Sequence, residues 1–205
     1  MKWEIVFLML VLLTAGCVGD KEKTNVGGVE SMDLSGKNIL MIIAPENFRD
    51  EELLEPKKVF EDYGASVTIA SRGVDSARGM LGAIVTVDED ISMVDVDDFD
   101  AVVFVGGSGA SVYFQDEEVL NLAKESYEKG KVIGAICIAP SILANAGLLD
   151  SKKVTSFPSE KENLEAHGAE YTGADVEQDE KIITGVGPHA ATEFGLKITE
   201  ALSQE

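Results

Sequence analysis

The sequence predicts an α/β sandwich built on a mostly parallel sheet, and three observations carry that reading. Short apolar runs alternate with stretches of helical periodicity along most of the chain. The runs are apolar at successive residues rather than at every second one, as strands buried on both faces of a parallel sheet must be. The three strongest runs stop at Pro45, Gly106 and Cys137. Apolar residues make up 45% of the 205, enough for a real core. With no internal repeat and no second core, one domain accounts for the chain from residue 37 to 205.

Asn38 to Ala44 is the first buried strand, closed by Pro45. Asp50 caps a helix to Tyr63, with Leu53, Leu54, Val59 and Phe60 at helical spacing and Gly64 as its stop. Ser66 to Ala70 is the second strand, Gly79 to Val87 an extended excursion of hairpin type, and Asp88 to Asp100 an acidic loop. Ala101 to Val105 is a buried strand broken at Gly106-Gly107. Asp116 to Lys129 is an amphipathic helix ended by Gly130, Lys131 to Ile136 a strand, and Ala139 to Ala146 a helix ended by Gly147. Val154 to Ser156 and Lys181 to Thr184 are later short strands, and Pro188 opens a last helix to about Leu202.

The first residues read as an address. Lys2 precedes an unbroken apolar run from Ile5 to Leu13, and small residues follow. Residues 1–16 therefore form an export signal, too short for a comfortable transmembrane helix. Leu13-Thr14-Ala15-Gly16-Cys17 resembles a lipoprotein signal, in which Cys17 becomes the lipid-bearing first residue. An uncleaved apolar anchor is the alternative. Either version attaches the protein to a membrane, with residues 17–36 as a polar tether. The expected location is the outer face of the cell membrane.

Net charge is −20, from 17 basic and 37 acidic residues. Such a surface repels phosphate backbones, which excludes nucleic acid as a partner. The two cysteines and two histidines supply no clustered zinc site. The aspartates between Asp88 and Asp100 lack the glycine and terminal glutamate of a calcium loop, so no metal and no cofactor is expected.

Chemistry belongs beyond the C-terminal ends of the strands. Gly134-Ala135-Ile136-Cys137-Ile138-Ala139-Pro140 runs from strand to helix with no loop residues to spare, so Cys137 must occupy the turn as in a nucleophile elbow. Amides at the start of the next helix, Ile138 first, would favour its thiolate and make it more acidic than a free cysteine. Gly106 and Gly107 let backbone amides approach a ligand, and with the Ile138 amide they can form an oxyanion hole. Among the acids opening the first helix, Glu52 can face inward; buried beside the sulfur, it would be protonated.

These residues resemble the PfpI/ThiJ superfamily. The motifs that agree are Asp50-Glu51-Glu52-Leu53-Leu54-Glu55-Pro56, Val102-Val103-Phe104-Val105-Gly106-Gly107, Ala135-Ile136-Cys137-Ile138-Ala139-Pro140, and Gly187-Pro188 with Glu193-Phe194. The resemblance implies a flavodoxin-like three-layer sandwich of the class I glutamine amidotransferase type, with helices on both faces of the sheet. It implies Cys137 as the reactive cysteine, Glu52 as its partner, and Gly107 as the glycine whose amide faces the sulfur. It also implies a small-molecule or peptide substrate and a homo-oligomer. Members are described as cysteine peptidases, glyoxalases, deglycases, chaperones and redox sensors. Peptidase-like members carry a histidine directly after the cysteine, where this chain has Ile138; others carry one where this chain has Phe157. A Cys–His peptidase needs an imidazole, and His189, after Gly187-Pro188, is the candidate to supply it. The open readings are a cysteine enzyme acting on small carbonyl compounds or amides, a peptidase, and a noncatalytic redox sensor or holdase.

Overall fold

The computed structural model describes residues 32–204. The export signal, Cys17 and most of the tether lie outside the described residues. Leu34, near the tether's end, is fully buried, and its amide donates to the Tyr63 carbonyl at 2.7 Å. Packing therefore begins slightly ahead of the expected boundary.

In chain order the elements are β1 (Asn38–Ile42), β2 (Glu46–Phe48), α1 (Asp50–Asp62), β3 (Ser66–Ser71), β4 (Ser76–Gly79), β5 (Ile84–Thr86) and β6 (Glu89–Asp90). They continue with β7 (Ala101–Phe104), α2 (Glu117–Glu128), β8 (Val132–Ile136), α3 (Pro140–Asn145), β9 (Lys153–Val154) and α4 (Lys161–Ala166). The last are β10 (Glu170–Tyr171), β11 (Val176–Asp179), β12 (Ile182–Gly185) and α5 (Ala191–Ser203). The main sheet has seven strands in the order β11-β12-β8-β7-β1-β3-β6. All its pairings are parallel except β11 with β12.

The alternation of side chains along each strand divides the core in two. Leu40, Ile42, Val102, Phe104 and Ile133 join α2 and α3 on one face. Ile39, Met41, Val103, Val132 and Ile136 join Leu53 and Phe60 of α1 and Phe194, Ile198 and Leu202 of α5 on the other. This is the expected three-layer sandwich. Two short sheets flank it, β2-β4-β5 and β10-β9.

Several expectations change. Residues 88–100 are not wholly loop: β6 pairs in parallel with the end of β3, and two short 3-10 turns follow. The Val154 strand lies outside the main sheet, and β11 joins it instead. Asp50 does not cap α1. Its buried carboxylate accepts from the Leu81 and Ala83 amides, both at 2.8 Å, and clamps the β4–β5 turn to the start of the helix. A clamp between residues thirty apart leaves no mark on local periodicity.

Helices α1 and α5 press together where α5 has no side chain. A Cβ at Gly195 would stand 2.9 Å from the Pro56 Cα and 3.3 Å from the Val59 Cβ. Gly195→Val therefore overpacks this seam and should cost about 1–3 kcal/mol. Urea unfolding would show it as a lower midpoint; an unchanged midpoint would mean that the two helices are free to separate.

Candidate functional site

Beyond the C-terminal end of β8 the chain turns into α3 with one residue, Cys137, in the left-handed region at φ 63°. Such a conformation in a non-glycine residue costs about 1–3 kcal/mol and persists only where neighbours impose it. Here the Cys137 amide donates to the Gly185 carbonyl at 2.9 Å, and the Cys137 carbonyl accepts from the Phe157 amide at 2.8 Å. The elbow is thus pinned by β12 on one side and by the chain after β9 on the other. Cys137 retains 8% of its exposure.

Glu52 lies in the first turn of α1 and is completely buried. Pro56 removes the amide that would bond the Glu52 carbonyl within the helix. Neither side-chain oxygen of Glu52 completes a hydrogen bond of ordinary geometry, and the Cys137 thiol and the Gly106 amide are its polar neighbours. Gly106 sits between the two functional side chains. A Cβ there would stand 2.5 Å from Glu52 Oε2 and 2.6 Å from the Cys137 Cβ. Gly107 has φ 90°, and a Cβ on it would meet the Arg49 amide nitrogen at 2.3 Å. Backbone therefore packs on backbone here, with the Arg49 amide donating to the Gly106 carbonyl at 3.0 Å. The amides of Gly107 and Ile138 both face the sulfur.

Burial pushes the Glu52 carboxyl up to about 7, against the pull of the thiol and of Arg49. Burial, and after it the charge of Glu52, push the Cys137 thiol up to about 12, although the Gly107 and Ile138 amides act the other way. This corrects the expectation of an unusually acidic thiol: loss of solvent outweighs two amide donors.

The neighbouring acids separate cleanly. Glu51 takes two bonds from Arg49, at 2.8 and 3.0 Å, and Glu55 accepts from Thr192 at 2.6 Å. His189 does not join the site. It is exposed in the 3-10 turn Pro188–Ala190, and its Nε2 lies 3.1 Å from Asp175 Oδ1. No histidine is among the groups that shift the Cys137 thiol or the Glu52 carboxyl. His167 is also exposed, with Nδ1 2.8 Å from the Asn163 carbonyl. Residue 157, where the imidazole is replaced by phenyl, does lie beside the elbow through its bond to the Cys137 carbonyl. Sequence reasoning missed Asn47, at φ 61° in the loop between β1 and α1, and the charge of Arg49. Asparagine's tolerance of left-handed backbone was the available signal for the first. Among the described residues no group of three or more metal-binding side chains comes together.

A parallel α/β sandwich with a cysteine elbow set against a buried glutamate defines a class of cysteine-site proteins. The chain belongs to the DJ-1/PfpI family, whose profile matches residues 37–201. It is 36% identical over 206 residues to an uncharacterized protein of Methanocaldococcus jannaschii, covering 99% of this chain and 98% of that one. It is 33% identical over 140 residues to a deglycase of Thermococcus kodakarensis, covering 68% of this chain and 84% of that one. The crystal structure of a ThiJ/PfpI domain protein from Brachyspira murdochii superposes with a TM-score of 0.81 at 32% identity, covering 83% of this chain and 99% of that one.

The raised Glu52 pKa links folding to pH. The folded protein binds the Glu52 proton more tightly than the unfolded chain, whose carboxyl titrates near 4.5. Stability from this group is fully present below about 4.5 and falls as pH rises to about 7. The loss is on the order of 3 kcal/mol across that window, because each tenfold change in proton affinity is worth about 1.4 kcal/mol. Glu52→Gln should flatten this part of the stability curve and raise the urea midpoint at pH 8. A wild-type midpoint that climbs between pH 5 and 7, with no change in the variant, would contradict the burial argument.

Proposed function

We propose that this protein is a cysteine-dependent enzyme of small carbonyl compounds, of glyoxalase or deglycase type. The observation that carries the reading is the wholly buried Glu52, held near neutrality at about 7 beside Cys137. Such a group is present as both acid and base at neutral pH, as a proton carrier must be. In the proposed reaction the Cys137 sulfur bonds to the aldehyde carbon of a 2-oxoaldehyde, and the thiol proton goes to the carbonyl oxygen. The Gly107 and Ile138 amides stabilise the oxygen as charge develops on it. Glu52 takes the proton from that carbon and returns it to the neighbouring one, while the hydroxyl proton passes from the first oxygen to the former ketone oxygen, leaving a 2-hydroxy thioester on Cys137. Water cleaves the thioester, releasing a 2-hydroxy acid and restoring the thiol. The likeness to the Thermococcus kodakarensis deglycase supports carbonyl-directed chemistry. A Cys–His peptidase is less well supported, because both histidines are exposed with other partners and neither is among the groups acting on the Cys137 thiol.

A second reading rests on the two amides and the carboxyl that surround the sulfur. Two equivalents of hydrogen peroxide would convert the thiol to a sulfinic acid with release of two waters, and those groups would hold its oxygens. The protein would then be a redox sensor or holdase.

The same proposal places the working domain, residues 37–205, at the outer face of the cell membrane, with residues 1–16 as the address and residues 17–36 as the tether from a lipidated Cys17. It also includes self-association, to which the exposed apolar Met80, Leu81 and Ile84 around the β4–β5 turn are suited.

Cys137→Ala should abolish formation of 2-hydroxy acid from methylglyoxal. Glu52→Gln should lower kcat about 10²- to 10⁴-fold with an unchanged circular dichroism spectrum. Glu51→Gln and Glu55→Gln should stay within about threefold of wild type, since their solvated ion-pair and surface contacts contribute little. Equal losses at all three glutamates would indicate helix stability rather than a proton carrier. Wild-type protein that consumes no dicarbonyl, yet gains about 32 Da on Cys137 from peroxide, a mass set by two added oxygens, would favour the sensor reading. For location, membrane-extracted protein should have an intact mass that begins at Cys17 with added lipid, and sedimentation should give more than a monomer. A mature chain with another start and no lipid would remove the lipoprotein proposal.

A further inference from the structure

The elbow's rim is apolar where an imidazole is replaced. Phe157, whose backbone bonds the elbow, is 46% exposed, an unusual state for a phenyl ring. It is not loosely attached. Its amide donates to the Cys137 carbonyl at 2.8 Å, and its carbonyl accepts from Ser156 Oγ at 3.0 Å. The Tyr171 hydroxyl fixes the Ser156 carbonyl at 3.1 Å. The ring borders the β12–α5 loop at Gly187, where a Cβ would stand 3.8 Å from Phe157 Cδ2. Ile138, half-buried, follows the sulfur directly. The nearest carboxylate in sequence, Glu160, is engaged by Ser141 at 2.7 Å and by Ser159 at 2.6 Å.

We infer that Phe157 is a specificity-determining residue that holds an aromatic substituent on the carbonyl substrate, so that aryl 2-oxoaldehydes are preferred over small alkyl ones. The inference rests on the carbonyl-directed reading of Cys137 and names the substrate class for that site. An exposed phenyl ring on a backbone pinned to the elbow offers one face for offset or edge-to-face packing of a second ring. An ionic substituent finds no free carboxylate next to Phe157 in the chain, because Glu160 is already engaged by two serines. A substituent that removes Phe157 from water in the transition state is favoured by the apolar area it covers.

The test is the ratio of kcat/KM for phenylglyoxal to that for methylglyoxal, in wild type, Phe157→Ala, Phe157→His and Met93→Ala. Phe157→Ala should lower the ratio about tenfold, mainly through a higher KM for phenylglyoxal, in line with the selectivity of a single apolar contact. Met93, 72% exposed beyond the opposite edge of the sheet, serves as the control, and its variant should leave the ratio unaltered. An unaltered ratio in Phe157→Ala, with turnover still measurable, would overturn the inference and spare the reaction. Saturation-transfer NMR with acetophenone, which has the ring but no aldehyde, reads the contact without turnover. If neither dicarbonyl is consumed but transfer is strong and disappears in Phe157→Ala, the reaction falls and the aromatic rim stands. Absence of transfer in wild type, together with an unaltered ratio or no turnover, rejects the rim.

Discussion

The closeness of Glu52 to Cys137 is the constraint on which the rest of the site depends. Gly106 is the only residue type that fits between them, since a methyl group there would meet both side chains at 2.5–2.6 Å. The surrounding architecture serves the same approach. β7 ends so that Gly106 and Gly107 lie against the backbone of Arg49, and β12 and the chain after β9, through Phe157, pin the elbow. Gly195 lets α5 press on α1 at Pro56, one helical turn beyond Glu52. The Asp50 clamp ties the same end of α1 to the β4–β5 turn.

This closeness has an electrostatic consequence. Two acids excluded from water in one place resist ionisation, and the second resists it more once the first is charged. The amides of Gly107 and Ile138 oppose that effect at the sulfur without cancelling it. The outcome is a carboxyl that exchanges its proton near neutrality and a thiol that is protected until a substrate or oxidant reaches it. The cost in folding stability is borne by two cores built on β7, β8 and β12, every residue of which is buried.

The absence of histidine at the elbow shapes both the chemistry and the recognition. In the proposed reaction, with no imidazole acting on the sulfur, proton movement would fall to Glu52. With Ile138 and Phe157 in place of imidazoles, the rim becomes uncharged and apolar.

Local chemistry determined much of this protein. Continuous apolar runs demanded strands buried on both faces, and β1, β3, β7, β8 and β12 follow from them. The apolar run into Cys137 left no loop, so the elbow was forced, and the position of Glu52 beside Leu53 marked it as the inward-facing acid of α1. The short edge strands β6 and β11 were not legible, because acidic residues such as Glu89 and Glu177 carry no strand signal and pair only when a neighbouring strand presents an edge. The outward turn of His189 and the role of Asp50 as a clamp were likewise decided by contacts between distant segments. Above all, the acidity of Cys137 belonged to the tertiary structure: helix-start amides can be read from order along the chain, but the loss of water that outweighs them exists only once both faces of the sheet are covered.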